Sequence, residues 1–182
     1  MKNRSVAVLL ALFTVAVAGF GFAQNPMVGG HDMSAQKNII QNAVNSDDHT
    51  TLVAAVKAAG LVDTLSGPGP FTVFAPTNEA FAKLPAGTVD NLLKPENKDQ
   101  LTKVLTYHVV AGKLTSNDLR KQIKAGHGTA ELTTVEGGKL EAMMQGSKIV
   151  LKDEKGGTST VTIPNVMQSN GVILVVDSVL LP

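Results

Sequence analysis

Tyr107 and His108 are the residues best suited to chemistry, and they stand side by side in a segment of helical spacing. A buried imidazole next to a phenol has the groups of a general base or of a metal ligand. No nucleophile or carboxylate pattern accompanies the pair, so we interpret His108 as a core histidine whose ring nitrogens bind the backbone and join neighbouring elements. The sequence also lacks the local motifs of serine hydrolases, zinc proteases, phosphate loops and dinucleotide-binding loops. It therefore predicts no enzyme and no catalytic residue.

A second set of candidate ligands consists of methionines with one histidine and one aspartate: Met27, His31, Asp32, Met33 and the pair Met143-Met144. Thioether and imidazole groups suit copper, and imidazole and carboxylate suit zinc. The first four lie in a glycine-flanked segment where such spacing arises by chance. The main prediction is therefore no metal and no cofactor, with a periplasmic small-ligand or metal-binding protein as the alternative.

The N-terminus has the layout of a secretory signal peptide over residues 1–23. Lys2 and Arg4 give a positive start, Val6–Phe20 is an almost unbroken apolar run, and Gly21 and Ala23 supply the small residues of a cleavage site. A retained membrane anchor is the competing interpretation. Cleavage predicts a secreted or periplasmic protein without stable membrane insertion. Residues 24–35, with a proline and two glycines, are expected to form a flexible lead-in.

The charge and the absence of cysteine further restrict the partners and the means of stabilisation that we expect for this protein. The full chain has 16 basic and 15 acidic residues, and loss of the signal peptide leaves 14 and 15. Without a basic run, nothing in the charge pattern favours a nucleic acid or an anionic membrane surface as partner. The chain has no cysteine, so an exported form depends on core packing instead of disulfides.

The order of the secondary-structure patterns indicates the fold class. Apolar residues at helical spacing dominate up to Ile123, and Asp47-Asp48-His49 is interpreted as a helix cap with a solvated face. Strand-like runs separated by glycine-rich turns follow at 131–135, 139–143, 148–152, 158–163 and 172–181. Helices first and closely spaced strands last predict an α+β fold with an antiparallel sheet.

Three stretches, at residues 69–81, 105–110 and 170–182, resemble in order the conserved segments of the fasciclin domain. The resemblance covers residues 38–182, and we place the domain at 36–182. It implies a wedge of two small antiparallel β-sheets with helices packed along one side. The residues that we assign to the structural motif are Phe71, Thr72, Phe74, Pro76, Thr77, Tyr107, His108, Asn170, Gly171 and Asp177.

The same resemblance implies a function in adhesion. Animal members often have Asp-Ile, a pair tied to integrin binding, where this chain has Asn165 and Val166. The carboxylate is missing here, so integrin recognition is not carried over, and Asn165, Val166 and Met167 are retained as candidate partner contacts. We expect a secreted, non-enzymatic binding module of the single-domain bacterial type. Its predicted partner is an extracellular or cell-surface protein or polysaccharide.

Overall fold

The structure is a computed structural model that describes residues 25–182, so the predicted signal peptide lies outside the described residues. Two short 3-10 helices, Asp47–His49 and Pro95–Asn97, precede longer helices. The α-helices are α1 (Ile39–Ala43), α2 (Thr50–Ala59), α3 (Val62–Ser66), α4 (Asn78–Ala82), α5 (Thr88–Leu92), α6 (Lys98–Tyr107) and α7 (Ser116–Ala125).

The strands form a two-stranded hairpin and a seven-stranded sheet in the order β4-β3-β9-β8-β7-β6-β5. Their bounds are β1 (Met27–Val28), β2 (His31–Asp32), β3 (Phe71–Pro76), β4 (Val109–Ala111), β5 (Thr129–Thr133), β6 (Lys139–Gln145), β7 (Lys148–Lys152), β8 (Thr158–Gln168) and β9 (Gly171–Val176). The α+β class with a wedge of sheet is confirmed. Helices α1–α6 pack along one side of it, whereas α7 packs against β5 and β6, with Leu119 and Ile123 in a second core.

The pairing within the large sheet departs from the expected antiparallel pattern in one place. β3 and β9 run parallel, from Phe71 opposite Gly171 to Pro76 opposite Val176, whereas the other pairs are antiparallel. Strand β8 is long enough to pair with β7 and then, beyond two register shifts, with β9. The two halves of the wedge are therefore joined through β8.

The sheet curls until its two edge strands meet. An isolated bridge joins Val110 in β4 to Thr134, which follows β5 directly, and the Val135 amide donates to the Val109 carbonyl at 2.7 Å. Right-handed strand twist favours such closure of a sheet with irregular strands. Closure creates an interior face, lined by apolar side chains, that is separate from the face covered by the helices.

Strands β3 and β9 pass between two apolar cores. Val73 and Ile173 belong to the core on the side of helices α1–α6, and Phe74 and Leu174 belong to the core inside the curled sheet. Alternation along a strand sends successive side chains to opposite faces, so a strand buried on both faces must be apolar throughout. All six residues of β9 are buried, as expected for a central strand.

Local capping explains where two of the helices begin. The Asn38 side chain accepts from the Gln41 amide at 2.8 Å, and the Gln41 side chain accepts from the Asn38 amide at 2.9 Å, which fixes the start of α1. Thr115 and Asp118 form the same reciprocal arrangement at the start of α7. Each satisfies free amides of a first helical turn.

The segment at residues 27–33 corrects the expectation of a flexible lead-in. Val28 and Met33 are 4% and 2% exposed and belong to the core under the helices. Gly29 and Gly30 adopt positive φ values of 56° and 75° in the turn between β1 and β2, and the Gly29 carbonyl accepts from the Asp47 amide at 3.3 Å. The glycines, which suggested mobility, form the turn that returns Met33 to the core.

Replacing Met33 with alanine is expected to lower the free energy of unfolding by about 2–3 kcal/mol, because a buried side chain is removed and a cavity is left. The matched change is Met27→Ala, at a side chain that is 59% exposed, and it should cost less than about 0.5 kcal/mol. Urea denaturation followed by circular dichroism measures both. Equal, small effects would show that the segment does not contribute to the core.

Candidate functional site

The three motif segments converge on β3. Its Phe71 amide donates to the Asn170 carbonyl at 3.0 Å, and its Phe74 amide donates to the His108 carbonyl at 2.9 Å. Beyond the strand, the Thr77 amide donates to the Val176 carbonyl at 3.4 Å. Residues far apart in sequence thus meet at the junction between the helices and the sheet. The candidate site is this junction.

Tyr107 lies at the C-terminal end of α6 and is fully buried. Its hydroxyl donates to the Lys139 carbonyl at 2.6 Å and accepts from the Glu154 amide at 3.2 Å. Burial raises the pKa of the phenol. Gly138 lies in the connection between β5 and β6, and a Cβ atom there would lie 2.7 Å from the Tyr107 ring. This connection therefore packs directly against the ring. The hydroxyl joins α6 to the β5–β8 half of the sheet.

His108 is 2% exposed and both of its ring nitrogens meet backbone groups. Nδ1 lies 2.7 Å from the Val104 carbonyl, which can only accept, so Nδ1 carries the proton. Nε2 accepts from the Leu180 amide at 3.0 Å. Burial, as the largest cause, lowers the pKa of His108 to about 4. A neutral imidazole with both nitrogens occupied is held as a bridge between α6 and the C-terminal segment.

Asp153 is a second anchor of that segment, and the sequence interpretation missed it. The carboxylate is buried; Oδ2 accepts from the Leu181 amide at 3.0 Å, and Oδ1 accepts from the Gly157 amide at 2.6 Å. An aspartate four residues before a glycine in a turn is a known side-chain-to-backbone pattern. The local turn was therefore readable from sequence, whereas the contact with the distant Leu181 amide was not.

Asn170 ties the start of β9 to two helices. Its Oδ1 accepts from the Ile39 amide at 3.0 Å, and its Nδ2 donates to the Leu65 and Gly67 carbonyls at 2.8 and 2.9 Å. The following Gly171 lies against β3 so closely that a Cβ atom would be 2.0 Å from the Phe71 carbonyl oxygen. Asn170 and Gly171 therefore connect β9 to α1, α3 and β3 in addition to forming a turn.

The remaining polar motif residues also bind backbone groups. The Thr72 hydroxyl donates to the Gly112 carbonyl at 2.7 Å. Thr77 follows Pro76, the last residue of β3, and its hydroxyl accepts from the Ala80 amide at 3.2 Å as the N-cap of α4. Asp177 accepts from the Thr160 amide at 2.8 Å. In each case the polar atom satisfies a backbone group of the fold.

The three candidate partner contacts in β8 have different surroundings. Val166 is 1% exposed and lies in the helical-side core, so the structure corrects its assignment to a contact surface. Asn165 has a φ of 59°, and its side-chain oxygen accepts from the Ser116 amide at 2.7 Å at the start of α7. Met167 is half-buried. Asn165 is thus committed to the bulge of β8, because a left-handed asparagine both turns the strand and caps the helix.

His49 is also placed differently from the expected solvated face. It is 3% exposed, and its Nδ1 lies 2.8 Å from the Ser46 hydroxyl. Within residues 25–182 its Nε2 has no hydrogen-bond partner. Burial is the main cause of a lowered pKa. The 3-10 helix directs His49 into the interior. The charged residues beside it in the sequence predict an exposed position instead.

The candidate copper or zinc ligands do not converge. Met33 is buried whereas Met27 is 59% exposed, and His31 Nε2 faces the Asp47 carboxylate at 3.5 Å. Asp32 accepts from the Asn25 side chain, and the Met143-Met144 pair lies on β6. In the part of the chain described by the structure, no group of three histidine or acidic residues is arranged for a metal.

A charged groove of about 440 Å³ lies on the outer face of strands β5–β7. Lys139 and Glu131 form an ion pair at 2.9 Å, and Lys152 and Glu141 form another at 3.4 Å. The hydrogen bond and charge of Glu131 raise the pKa of Lys139. These side chains remain exposed, so they add little to stability and are accessible to a partner.

The polar motif residues at the junction thus form hydrogen bonds with backbone groups of the domain itself. A family model described as the fasciclin domain matches residues 47–182. The chain belongs to the fasciclin family.

Relatives cover most of the chain. Protein sll1483 of Synechocystis sp. is 45% identical over 174 residues, which are 95% of this chain and 89% of that protein. Cell surface glycolipoprotein MPB83 of Mycobacterium bovis is 37% identical and aligns with 88% of this chain and 68% of its own length. The solved FAS1 domain pair of the insect cell adhesion molecule fasciclin I has a TM-score of 0.70 at 19% identity and shows the same fold. The match covers 80% of this chain and 51% of that one.

Proposed function

We propose that the protein is an exported, non-enzymatic adhesion module that contacts a protein, a polysaccharide or a cell surface. The observation that carries this proposal is the use of the polar motif side chains. Tyr107, His108 and Asn170 direct their polar atoms at backbone groups. An active site needs groups aimed at a substrate, whereas these groups hold elements together. We therefore assign the binding function to the surface of the domain and not to these buried side chains.

Export is supported by the sequence of residues 1–23 and by one relative of the chain, the cell surface glycolipoprotein MPB83. Among residues 25–182, no helix combines the length and apolar character needed to cross a bilayer. We propose that residues 1–23 are removed and that the domain begins within residues 25–38, since Val28 and Met33 pack in its core. Such a product would be secreted or periplasmic.

The charged groove on β5–β7 is the contact surface that we propose. Its strands are backed by the apolar core inside the curled sheet, so its side chains are presented on a rigid support. Lys139, Lys152, Glu131 and Glu141 offer both signs of charge along one face. Alternating charges favour a partner with a complementary pattern and raise the rate and specificity of association more than its affinity.

The test is a pull-down with the protein purified from an exporting host, against the outer-surface fraction of its own cells. We expect a specific protein or polysaccharide to be retained, and the double variant Lys139→Glu, Lys152→Glu to lose it. The matched control is Lys94→Glu, Lys98→Glu, which makes the same charge change on exposed residues outside the groove. Retention of nothing by the folded protein would overturn the adhesion proposal, and equal loss in both variants would overturn the groove.

A further inference from the structure

Residues 25–33, which we call the N-terminal hairpin, cover one side of the helical-side core but have few polar contacts with the rest of the described chain. The Gly29 carbonyl accepts one backbone hydrogen bond, from the Asp47 amide at 3.3 Å. The other contact is the ion pair of His31 with Asp47 at 3.5 Å, whose side chains are 49% and 83% exposed. An element held in this way opens at a lower cost than global unfolding.

The N-terminal hairpin lies directly on the 3-10 helix that contains His49. A Cβ atom at Gly29 would lie 2.7 Å from the amide nitrogens of Asp47 and Asp48, so the turn between β1 and β2 packs closely against the first turn of this helix. His49 is the last residue of the helix and is 3% exposed. Its burial therefore depends on an element with few attachments.

The surroundings of His49 are unsuited to a charged imidazole. Its Nε2 is buried and, among residues 25–182, has no hydrogen-bond partner. The ring borders an apolar void of about 30 Å³, and Val28 and Met33 form the hairpin side of this void. The rest of the lining comes from α1, α2, β3, β8, β9 and Ser46, and it includes no charged side chain. A proton on this imidazole requires water to reach it.

The charged groups near His49 belong to two elements. Asp47 and Asp48 precede it on the 3-10 helix, and His31 faces Asp47 from the hairpin. Burial is the largest effect on the pKa of His49 and lowers it, whereas the Ala75 backbone and the Asp48 charge raise it by less. Opening the hairpin relieves burial, so the open state binds a proton more readily. Protonation of His31 opposes opening through an exposed ion pair, which contributes little.

The other walls of the void are held more firmly than the hairpin. The Ile39 amide of α1 donates to the Asn170 side chain at 3.0 Å, and the buried Asn42 side chain donates to the Ser34 carbonyl at 2.8 Å. β3 and β9 are paired along six residues. We propose that the N-terminal hairpin is an acid-released strap, which detaches from the core when His49 takes up a proton. This inference does not depend on the adhesion proposal or on the charged groove.

The test is oxidation of methionine by hydrogen peroxide, measured by mass spectrometry on the purified exported protein at pH 7 and pH 5. Met33 is 2% exposed and reacts when the hairpin opens, whereas Met27, in the same hairpin, is 59% exposed and reports the intrinsic rate. In the open state His49 has its ordinary pKa of 6.5. We expect the Met33 rate, relative to that of Met27, to rise about tenfold from pH 7 to pH 5.

His49→Phe replaces the imidazole with an apolar ring that binds no proton. We expect Met33 of this variant to react as slowly at pH 5 as at pH 7. The matched control is His31→Asn, which removes the exposed histidine of the hairpin and should keep the acid-induced increase. His49→Asn keeps a polar atom near the Ser46 hydroxyl without a titrating ring, and it serves as the test if His49→Phe fails to fold.

Global unfolding is distinguished from hairpin release by hydrogen exchange of β9, corrected for the intrinsic rate at each pH. We expect the β9 amides to remain protected at pH 5 while Met33 reacts. The proposal is overturned if the relative Met33 rate is the same at both pH values or if the non-titrating His49 variant keeps the increase. It is also overturned if β9 loses its protection in parallel with Met33.

Discussion

Gly171→Ala is expected to lower the free energy of unfolding by about 3 kcal/mol or more, because a methyl group is forced against backbone. The Cβ atom would be 2.0 Å from the Phe71 carbonyl oxygen and 2.9 Å from its carbon. A flexible side chain could rotate away from such a contact, but Phe71 is paired with Gly171 in the parallel β3–β9 ladder. Relief therefore requires the two strands that separate the cores to move apart.

The matched control is Gly30→Ala. Gly30 has a φ of 75°, which disfavours alanine, but its Cβ position has no atom within 4 Å. It should cost only the strain of the left-handed conformation, about 1–2 kcal/mol. Urea denaturation at 25 °C compares the two variants with the native protein. If Gly171→Ala costs less than Gly30→Ala, the close approach of β3 and β9 does not limit this position.

Acidification from about pH 6.5 to about pH 4 is expected to remove about 3 kcal/mol of stability through His108 alone. Its pKa is about 4 in the folded protein against an ordinary value of 6.5. Below pH 6.5 the unfolded chain therefore binds a proton that the folded chain does not, and the free energy of unfolding falls. The contribution is fully present above pH 6.5. The lowered pKa of His49 acts in the same direction.

His108→Asn isolates this effect, since its amide can still donate toward the Val104 carbonyl but does not titrate. We expect a lower stability at neutral pH, by about 2–3 kcal/mol for the lost packing and the unpaired Leu180 amide, and a shallower decline on acidification. His127→Asn, at an exposed histidine with a φ of 58°, should keep the native decline. Parallel pH curves for the native protein and His108→Asn would show that the buried imidazole does not set the acid response.

Local patterns were sufficient for elements whose partners are close in sequence. The bounds of β7, Lys148–Lys152, were predicted as observed because apolar residues cluster between two glycine turns. β8 extends to Gln168 instead of ending near Ile163, because register shifts let the strand continue past Pro164. The parallel pairing of β3 with β9 joins residues about one hundred positions apart, and no local rule specifies it.

In the candidate site too, local sequence patterns predict some features, whereas contacts between distant residues are not predictable from them. Burial of His108 follows from the helical apolar spacing, which continues one residue beyond the end of α6. The hydrogen bond that its Nε2 accepts from the Leu180 amide depends instead on the path of the C-terminal segment. The proline and glycines around Val28 and Met33 predict a flexible lead-in. Their burial depends on a core built by residues far along the chain. The burial of His49 likewise depends on distant residues, whereas its charged neighbours in the sequence predict exposure.

The meeting of β4 with the end of β5 bears on how the protein behaves when it is crowded. Unpaired strand edges are templates for edge-to-edge aggregation and fibril growth. Here β4 has three residues, and its neighbourhood is occupied by Thr134 and Val135. At the place where β4 meets Thr134 and Val135, the described sheet therefore offers no free edge to another copy. At this place another copy cannot add a strand, so an association there would have to use side-chain contacts.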